Sequence, residues 1–218
     1  CGERKLLGEG GFGKVYRCTR NDKSVVAVKE MNINEDSIVS LLREIEGLEA
    51  VQGDSQAGSF VQLKAIQMPS WNKIEIVLEL LEGMDGIHLF EGLGRLTQKL
   101  PIVSNLPIVA AIIKRLLVGL NQLHKRQILH GDLKLENIYF TQRGELKLID
   151  MGLIYDLKRP RWGLTGTPVY GPPEITADLG QPIGVGVDYW TLGILLLDAL
   201  IGEPLPDDLY SRCADSPL

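Results

Sequence analysis

The length, composition and charge of the chain set the first limits on what it can be. Its 218 residues are enough for one large domain or two small lobes, and 44% hydrophobic with 23% charged residues is ordinary for a folded protein. A formal net charge of -5 argues against a nucleic-acid partner bound through a basic face. No uninterrupted apolar run reaches the roughly 18 residues of a membrane-spanning segment, so we expect no membrane span.

Three cysteines, Cys1, Cys18 and Cys213, are widely spaced and form no CxxC pair or Cys/His cluster. A zinc site is therefore not predicted. Their odd number and spacing favour free thiols in a reducing compartment, although a single bridge is compatible with the sequence. We expect a cytoplasmic location, with a secreted effector as the alternative.

The first part of the chain has the composition of β-strands. Short β-rich segments are separated by Gly, Asn and Asp, and after Asn34, a plausible N-cap, apolar residues recur at the three- and four-residue spacing of a helix. Residues 83–86 have the composition of a linker. The predicted strands are residues 4–7, 14–18, 25–29, 60–67 and 74–81.

The second part is predicted to be mostly helical. One apolar face runs from Ile108 through Leu117 to Leu123, which predicts a long amphipathic helix. Residues 138–140 and 146–149 favour a short hairpin, and residues 189–201 are apolar almost all round, as in a buried helix. The fold class is therefore α+β, with a strand-rich lobe over residues 1–81 and a helix-rich lobe over residues 82–218.

A glycine-rich segment near the N-terminus fits the pattern GxGxxGxV and ends in Lys14-Val15. Glycines let a backbone approach phosphates closely, but alone this pattern is equally typical of a glycine-rich hairpin. Lys29 lies sixteen residues after the last glycine, on a predicted strand from which it could reach phosphate oxygens. It needs a counter-ion, and Glu44 on the predicted helix is the best candidate, with Glu46 a confusable neighbour. The glycine-rich segment consists of Gly8, Glu9, Gly10, Gly11, Phe12 and Gly13.

The octet His130-Gly131-Asp132-Leu133-Lys134-Leu135-Glu136-Asn137 lies between a predicted helix and a predicted strand. Asp132 could accept or orient a hydroxyl proton, and Lys134 could neutralise charge on a transferring phosphoryl group. Asn137 and Asp150, thirteen residues apart, offer the oxygen ligands that Mg²⁺ prefers.

In this order, these motifs resemble those of the eukaryotic-type protein kinase family over essentially the whole chain. Two later segments, residues 166–174 and 188–193, resemble its GTxxYxAPE and DxWxxG motifs. The resemblance implies a bilobal fold, here truncated after the central buried helix, that transfers the γ-phosphate of ATP to Ser or Thr hydroxyls of a protein substrate, with ATP and Mg²⁺ as cofactors. It implies a gatekeeper at Leu78, a hinge at Glu79, Leu80 and Leu81, and further nucleotide contacts at Val15, Ala27, Asp85 and Tyr139. It also implies that Thr167 lies beside Asp132 and that Asp188 holds the catalytic-loop backbone.

Three positions depart from the family pattern, because Gly131, Met151 and Pro172 replace the usual Arg, Phe and Ala. Two alternatives to a protein kinase remain open. A non-catalytic pseudokinase scaffold usually loses one of the residues corresponding to Lys29, Asp132 or Asp150, and all of them are present here. A small-molecule phosphotransferase shares the pattern HGDxxxxN, but usually has His at the position of Lys134.

Overall fold

The computed structural model describes residues 2–10, 13–35, 37–52, 57–97, 106–159, 166–167, 170–176 and 183–201. The first part forms a five-stranded antiparallel sheet with the strand order β1-β2-β3-β5-β4. The predicted strands are present, with shifted ends. They are β1 (Arg4–Gly10), β2 (Gly13–Thr19), β3 (Val25–Asn32), β4 (Leu63–Ser70) and β5 (Lys73–Glu79).

The side chains of β3 alternate between the two faces of this sheet, as the period of a strand requires. Ala27 and Met31 join the main core, whereas Val26 and Val28 pack with Cys18 in a separate small cluster. Cys18 is fully buried and disulfide-bonded. The expectation of free thiols is therefore wrong for Cys18, and Cys1 and Cys213 lie outside the described residues.

The helix α1 (Ile38–Val51) begins later than predicted, with Ser37 as its N-cap residue. Asn34 lies one turn earlier, where its side-chain oxygen accepts a bond from the Ser37 N–H at 2.8 Å. Asn34 therefore stabilises the turn before the helix, and its prediction as the N-cap was wrong. The buried face of α1 includes Glu44, Gly47 and Leu48.

The second part holds the helices α2 (Gly86–Thr97), α3 (Leu106–His124), α4 (Pro173–Thr176) and α5 (Gly186–Ile201). The predicted hairpin is β8 (Ile138–Thr141) and β9 (Leu146–Leu148). The predicted linker is instead a short strand, β6 (Gly83–Asp85), which pairs with β8 to form a three-stranded sheet. The strands β7 (Ile128–Leu129) and β10 (Tyr155–Asp156) form a separate pair.

The helix α3 buries a narrower face than the sequence predicted. Val109, Ile112 and Leu116 are buried, but Ile108 and Leu117 are 44% and 41% exposed. Its 19 residues are long and apolar enough to cross a membrane by length and composition alone. The buried face packs into the main hydrophobic core, as core helices of similar composition also do.

The central helix α5 is apolar almost all round, but it is not buried all round. Leu192 and Leu195 enter the core, whereas Tyr189 and Leu197 are 45% and 44% exposed. The prediction of a fully buried helix was therefore wrong on this face, because apolar composition does not show which sides of a helix have neighbours.

The two parts of the chain meet along a single shared core. Phe60 forms an isolated bridge with Leu148, and the Val61 N–H donates to the Leu148 carbonyl at 3.0 Å. The boundary predicted between residues 81 and 82 falls in the connection from β5 to β6. This connection closes one end of a cleft between the five-stranded sheet and the β8–β9 hairpin.

Candidate functional site

The cleft has a volume of about 650 Å³, within the range of small-molecule sites. Most of the residues predicted to contact a nucleotide line it. They are Gly8, Glu9, Gly10, Gly13, Val15, Ala27, Lys29, Leu78, Glu79, Leu80, Leu81, Asn137, Tyr139 and Asp150.

Asp85 is not among the residues that line the cleft. It ends β6, and its Oδ1 accepts bonds from the backbone N–H of His88 at 2.9 Å and lies 2.7 Å from the His88 ring Nδ1. Gly11 and Phe12 lie outside the described residues.

Six further residues that line the cleft are not predicted from the sequence, and most of them are neighbours of predicted ones. Leu7 directly precedes the first glycine, and Ile149 directly precedes Asp150, so closeness in sequence to a predicted residue was the usable signal for both. Glu136 lies within the recognised octet. The missed residues are Leu7, Arg17, Val61, Glu82, Glu136 and Ile149.

The glycine-rich segment turns between β1 and β2, where Gly10 pairs with Gly13. Gly13 has a φ of +129°, and a Cβ there would lie 2.2 Å from the Glu30 carbonyl oxygen. Any side chain would therefore force β2 away from β3, which explains why glycine occupies this position.

Lys29 and Glu44 form a buried ion pair at the back of the cleft. The Lys29 Nζ lies 2.7 Å from both carboxylate oxygens of Glu44, which is 1% exposed. Burial alone would lower the pKa of Lys29, but Glu44 and Asp150 more than offset it and raise that pKa. The ammonium group therefore stays charged, as a phosphate-binding group must.

Asp150 lies beside this pair, with its Oδ2 at 3.7 Å from the Lys29 Nζ. Its Oδ1 accepts the Gly152 N–H at 2.8 Å, which fixes the carboxylate in the turn after β9. Asn137 donates its amide N–H groups to the backbone carbonyl of Asp132 at 2.7 Å and to its carboxylate at 3.2 Å. The amide oxygen of Asn137 takes part in neither bond and would be available to a cation.

These two oxygen donors fit Mg²⁺, which usually takes one or two protein ligands and completes its shell with phosphate and water oxygens. The described residues hold no group of three or more His, Cys, Asp or Glu side chains suited to a metal. A cation here would therefore depend on the bound nucleotide for the rest of its ligands.

The Asp132 carboxylate, which is not among the residues that line the cleft, is held by Lys134 and Thr167 in addition to Asn137. Its Oδ2 lies 2.8 Å from the Lys134 Nζ, and its Oδ1 accepts from the Thr167 hydroxyl at 2.7 Å and N–H at 3.0 Å. Burial alone would raise the pKa of Asp132, but these bonds outweigh it and lower that pKa. The carboxylate is therefore ionised at neutral pH and fixed in direction.

The backbone before Asp132 is anchored by Asp188 from α5. Its carboxylate accepts the N–H groups of His130 at 2.9 Å and Gly131 at 3.0 Å, as the family resemblance implied. His124, which was not predicted, adds a third contact at 2.7 Å from its Nε2. Burial lowers the pKa of His130, so its ring is neutral at physiological pH.

Met151, which replaces the usual phenylalanine, is fully buried and packs against α1. A Cβ at Gly47 would lie only 2.8 Å from the Met151 Cβ and 3.1 Å from the Ile154 Cγ2. The missing side chain at Gly47 therefore lets α1 approach the 150–152 turn closely. This close approach places Glu44 within reach of Lys29.

Comparisons with known proteins agree with this arrangement. The model of the protein kinase domain family matches residues 2–212. A probable serine/threonine-protein kinase of Dictyostelium discoideum is 28% identical over 92% of this chain and 46% of its own length. The kinase pakC of the same organism is 29% identical over 91% of this chain and 40% of its own, and the kinase STE20 of Saccharomyces cerevisiae is 28% identical over 91% and 20%.

The chain thus spans less than half the length of these curated relatives. The match to the protein kinase domain family, in contrast, covers nearly all of this chain. The chain therefore belongs to the protein kinase domain family.

Proposed function

We propose that this chain is the catalytic part of a Ser/Thr protein kinase, which transfers the γ-phosphate of ATP to a hydroxyl of a protein substrate. The observation that carries this proposal is the Asp132 carboxylate, fixed by Lys134 and Thr167. It stands on the same loop as Asn137, which lines the nucleotide-sized cleft with Asp150.

ATP would enter with its base between the sheet and the hairpin. Val15 and Ala27 line one wall of the cleft and Tyr139 the other, so a flat base can be covered on both faces. The backbone of residues 79–81 would bond the edge of the base, and Lys29, kept charged by Glu44, would bind phosphate oxygens.

Asn137 and Asp150 would hold Mg²⁺ against the phosphates. When bound, the metal supplies positive charge that offsets the charge developing on the phosphoryl oxygens. Lys29, 3.7 Å from Asp150, would limit how far that carboxylate can turn away.

Asp132 would orient the incoming hydroxyl by accepting its hydrogen bond. Because the pKa of Asp132 is lowered, its main contribution is a fixed acceptor that aligns the nucleophile rather than a strong base. Lys134 lies 3.3 Å from the Thr167 hydroxyl and can turn toward the transferring group as the substrate displaces that contact.

The Lys134–Asp132–Thr167 cluster also favours Ser or Thr over Tyr as the acceptor. In the Ser/Thr members of the family, the positions of Lys134 and Thr167 flank the catalytic aspartate. The relatives described above are named Ser/Thr-protein kinases. The same names and the protein kinase domain match weigh against a small-molecule phosphotransferase.

The test uses the Asp150→Asn variant with a generic protein substrate and radiolabelled ATP. We expect Mg²⁺-dependent transfer to be lost while the thermal unfolding profile is kept. The matched control is Asp22→Asn, since Asp22 is exposed, bonds to its neighbour Ser24 and is not among the residues that line the cleft. Wild-type-like transfer by Asp150→Asn would refute the metal assignment, and mainly phosphotyrosine in the product would refute the acceptor assignment. A wild-type chain that binds Mg·ATP without transferring phosphate would favour the pseudokinase.

A further inference from the structure

The hinge between the two lobes, residues 79–81, and the adjoining Glu82 contact the β8–β9 hairpin at three points. The Lys147 Nζ contacts the Glu79 carboxylate at 2.9 Å, and the Tyr139 hydroxyl donates to the Leu81 carbonyl at 3.4 Å. The Gln142 N–H donates to the Glu82 carbonyl at 2.7 Å. Of these three hairpin residues, Lys147 is the charged one. Neither the sequence motifs nor the proposed mechanism gives it a role.

Lys147 is an unusual lysine because it is only 4% exposed. A buried ammonium group loses its hydration, and it is tolerated only when a partner replaces the lost water. Glu79, at the end of β5, provides that partner. The side chain of Glu79 is 23% exposed, so the pair is shielded from water mainly on the lysine side.

The strand register explains how Lys147 reaches the hinge. Lys147 on β9 pairs directly with Tyr139 on β8. Directly paired residues of an antiparallel ladder project to the same face, so both side chains leave the hairpin toward residues 79–81. Tyr139, which lines the cleft, and Lys147 therefore contact the hinge side by side.

Glu79 transmits the contact to its own backbone. The Oε1 atom that meets Lys147 also accepts the Gln62 N–H at 2.9 Å, and the Glu79 N–H donates to the Gln62 carbonyl at 2.9 Å. The side chain and the backbone N–H of Glu79 thus both hydrogen-bond to the backbone of Gln62. A shift of the carboxylate would shift the peptide groups that would face adenine.

We propose that Lys147 is a positioning residue for recognition of the adenine base, acting through the Glu79 carboxylate on the hinge backbone. This inference rests on the proposed function, because it assigns a role within the same nucleotide site. Lys147 itself is not among the residues that line the cleft. Lys147 would therefore affect binding of the adenine base, whereas Lys29 would contact the phosphates.

The test compares Lys147→Met, which keeps the length of the side chain but not its charge, with wild type. Titration calorimetry with adenosine, which lacks phosphates, and with Mg·ATP measures the two dissociation constants. We expect both to rise about tenfold, as for loss of a charge-assisted bond. The KM for the protein substrate should stay unchanged, which a general loss of stability would not produce. Glu79→Gln should show the same pattern, and the double variant should bind no more weakly than Lys147→Met.

The matched control is Lys64→Met, which removes an exposed lysine bonded to the Gln62 side chain and not to Glu79. It should bind adenosine like the wild type. If Lys147→Met does not fold, Glu79→Gln, which is nearly isosteric, carries the comparison. A folded variant that binds adenosine as wild type does would overturn the inference, as would weaker ATP binding with unchanged adenosine binding. A wild-type chain with neither nucleotide binding nor transfer would instead overturn the proposed function itself.

Discussion

Replacing Glu44 with glutamine keeps the shape of the side chain but removes the charge that balances Lys29. Both carboxylate oxygens lie 2.7 Å from the Lys29 Nζ, and the side chains are 1% and 10% exposed. At an effective dielectric constant of ~20, a pair at this distance attracts by about 6 kcal/mol before desolvation is subtracted. The variant leaves Lys29 with Asp150, 3.7 Å away, as its nearest carboxylate.

Breaking a buried ion pair on one side typically costs about 3–5 kcal/mol. Because Asp150 can partly take over, we expect the lower end, about 3 kcal/mol, which corresponds to a fall of roughly 6–12 °C in Tm for a chain of this size. Activity should also fall steeply, because Lys29 would be drawn toward Asp150 and away from the phosphates.

The free energy of unfolding is measured by urea denaturation monitored by tryptophan fluorescence. Activity is measured as phosphate transfer to a protein substrate. The double variant Lys29→Met with Glu44→Leu is the control, because replacing both charges by apolar groups should bring stability to within about 1 kcal/mol of wild type without restoring activity. A Glu44→Gln variant as stable as wild type, or a double variant as unstable as the single one, would refute this reasoning.

Three further outcomes are expected. Because burial lowers the pKa of His130 below the ordinary 6.5, the unfolded chain binds more protons and stability falls as the pH drops below that value. His130→Gln should flatten this dependence in urea unfolding between pH about 7.5 and about 5.5. Gly47→Ala should lower both activity and stability, the latter by roughly 1–3 kcal/mol, through overpacking against Met151, whereas Gly92→Ala, with open space around it, should not. Phosphatase treatment, checked by mass spectrometry, should leave activity unchanged, because Gly131 offers no guanidinium to a loop phosphate; a large loss that autophosphorylation restores would contradict this.

The sequence predicted the cleft well because its chemistry fixes both residue types and spacing. A lysine on a strand and a glutamate on the next helix can meet only in one arrangement of sheet and helix, and Lys29 and Glu44 do meet. The bonds from Thr167 to Asp132 and from the catalytic-loop backbone to Asp188 were likewise implied by ordered motifs. The catalytic roles of these residues remain predictions.

What the sequence missed depends on contacts distant in the chain. Gly83 to Asp85 has the composition of a linker, and it becomes a strand only because β8 lies alongside it. The start of α1 at Ile38 follows a turn in which the side chains of Asn34 and Ser37 each accept the other's backbone N–H, an arrangement that a single N-cap candidate in the sequence does not indicate. The exposure of Ile108 and Leu117 depends on which neighbours surround α3, which hydrophobic periodicity does not specify.

The bond from Tyr139 to the Leu81 carbonyl has a consequence for inhibitor design. A compound that donates a hydrogen bond to this carbonyl must share the acceptor with the tyrosine hydroxyl or displace it. A planar heteroaromatic scaffold, in contrast, gains about 0.5–1.5 kcal/mol by lying against the Tyr139 ring. Flat inhibitors that bond the Leu81 N–H instead should therefore bind the wild-type chain more tightly than a Tyr139→Leu variant.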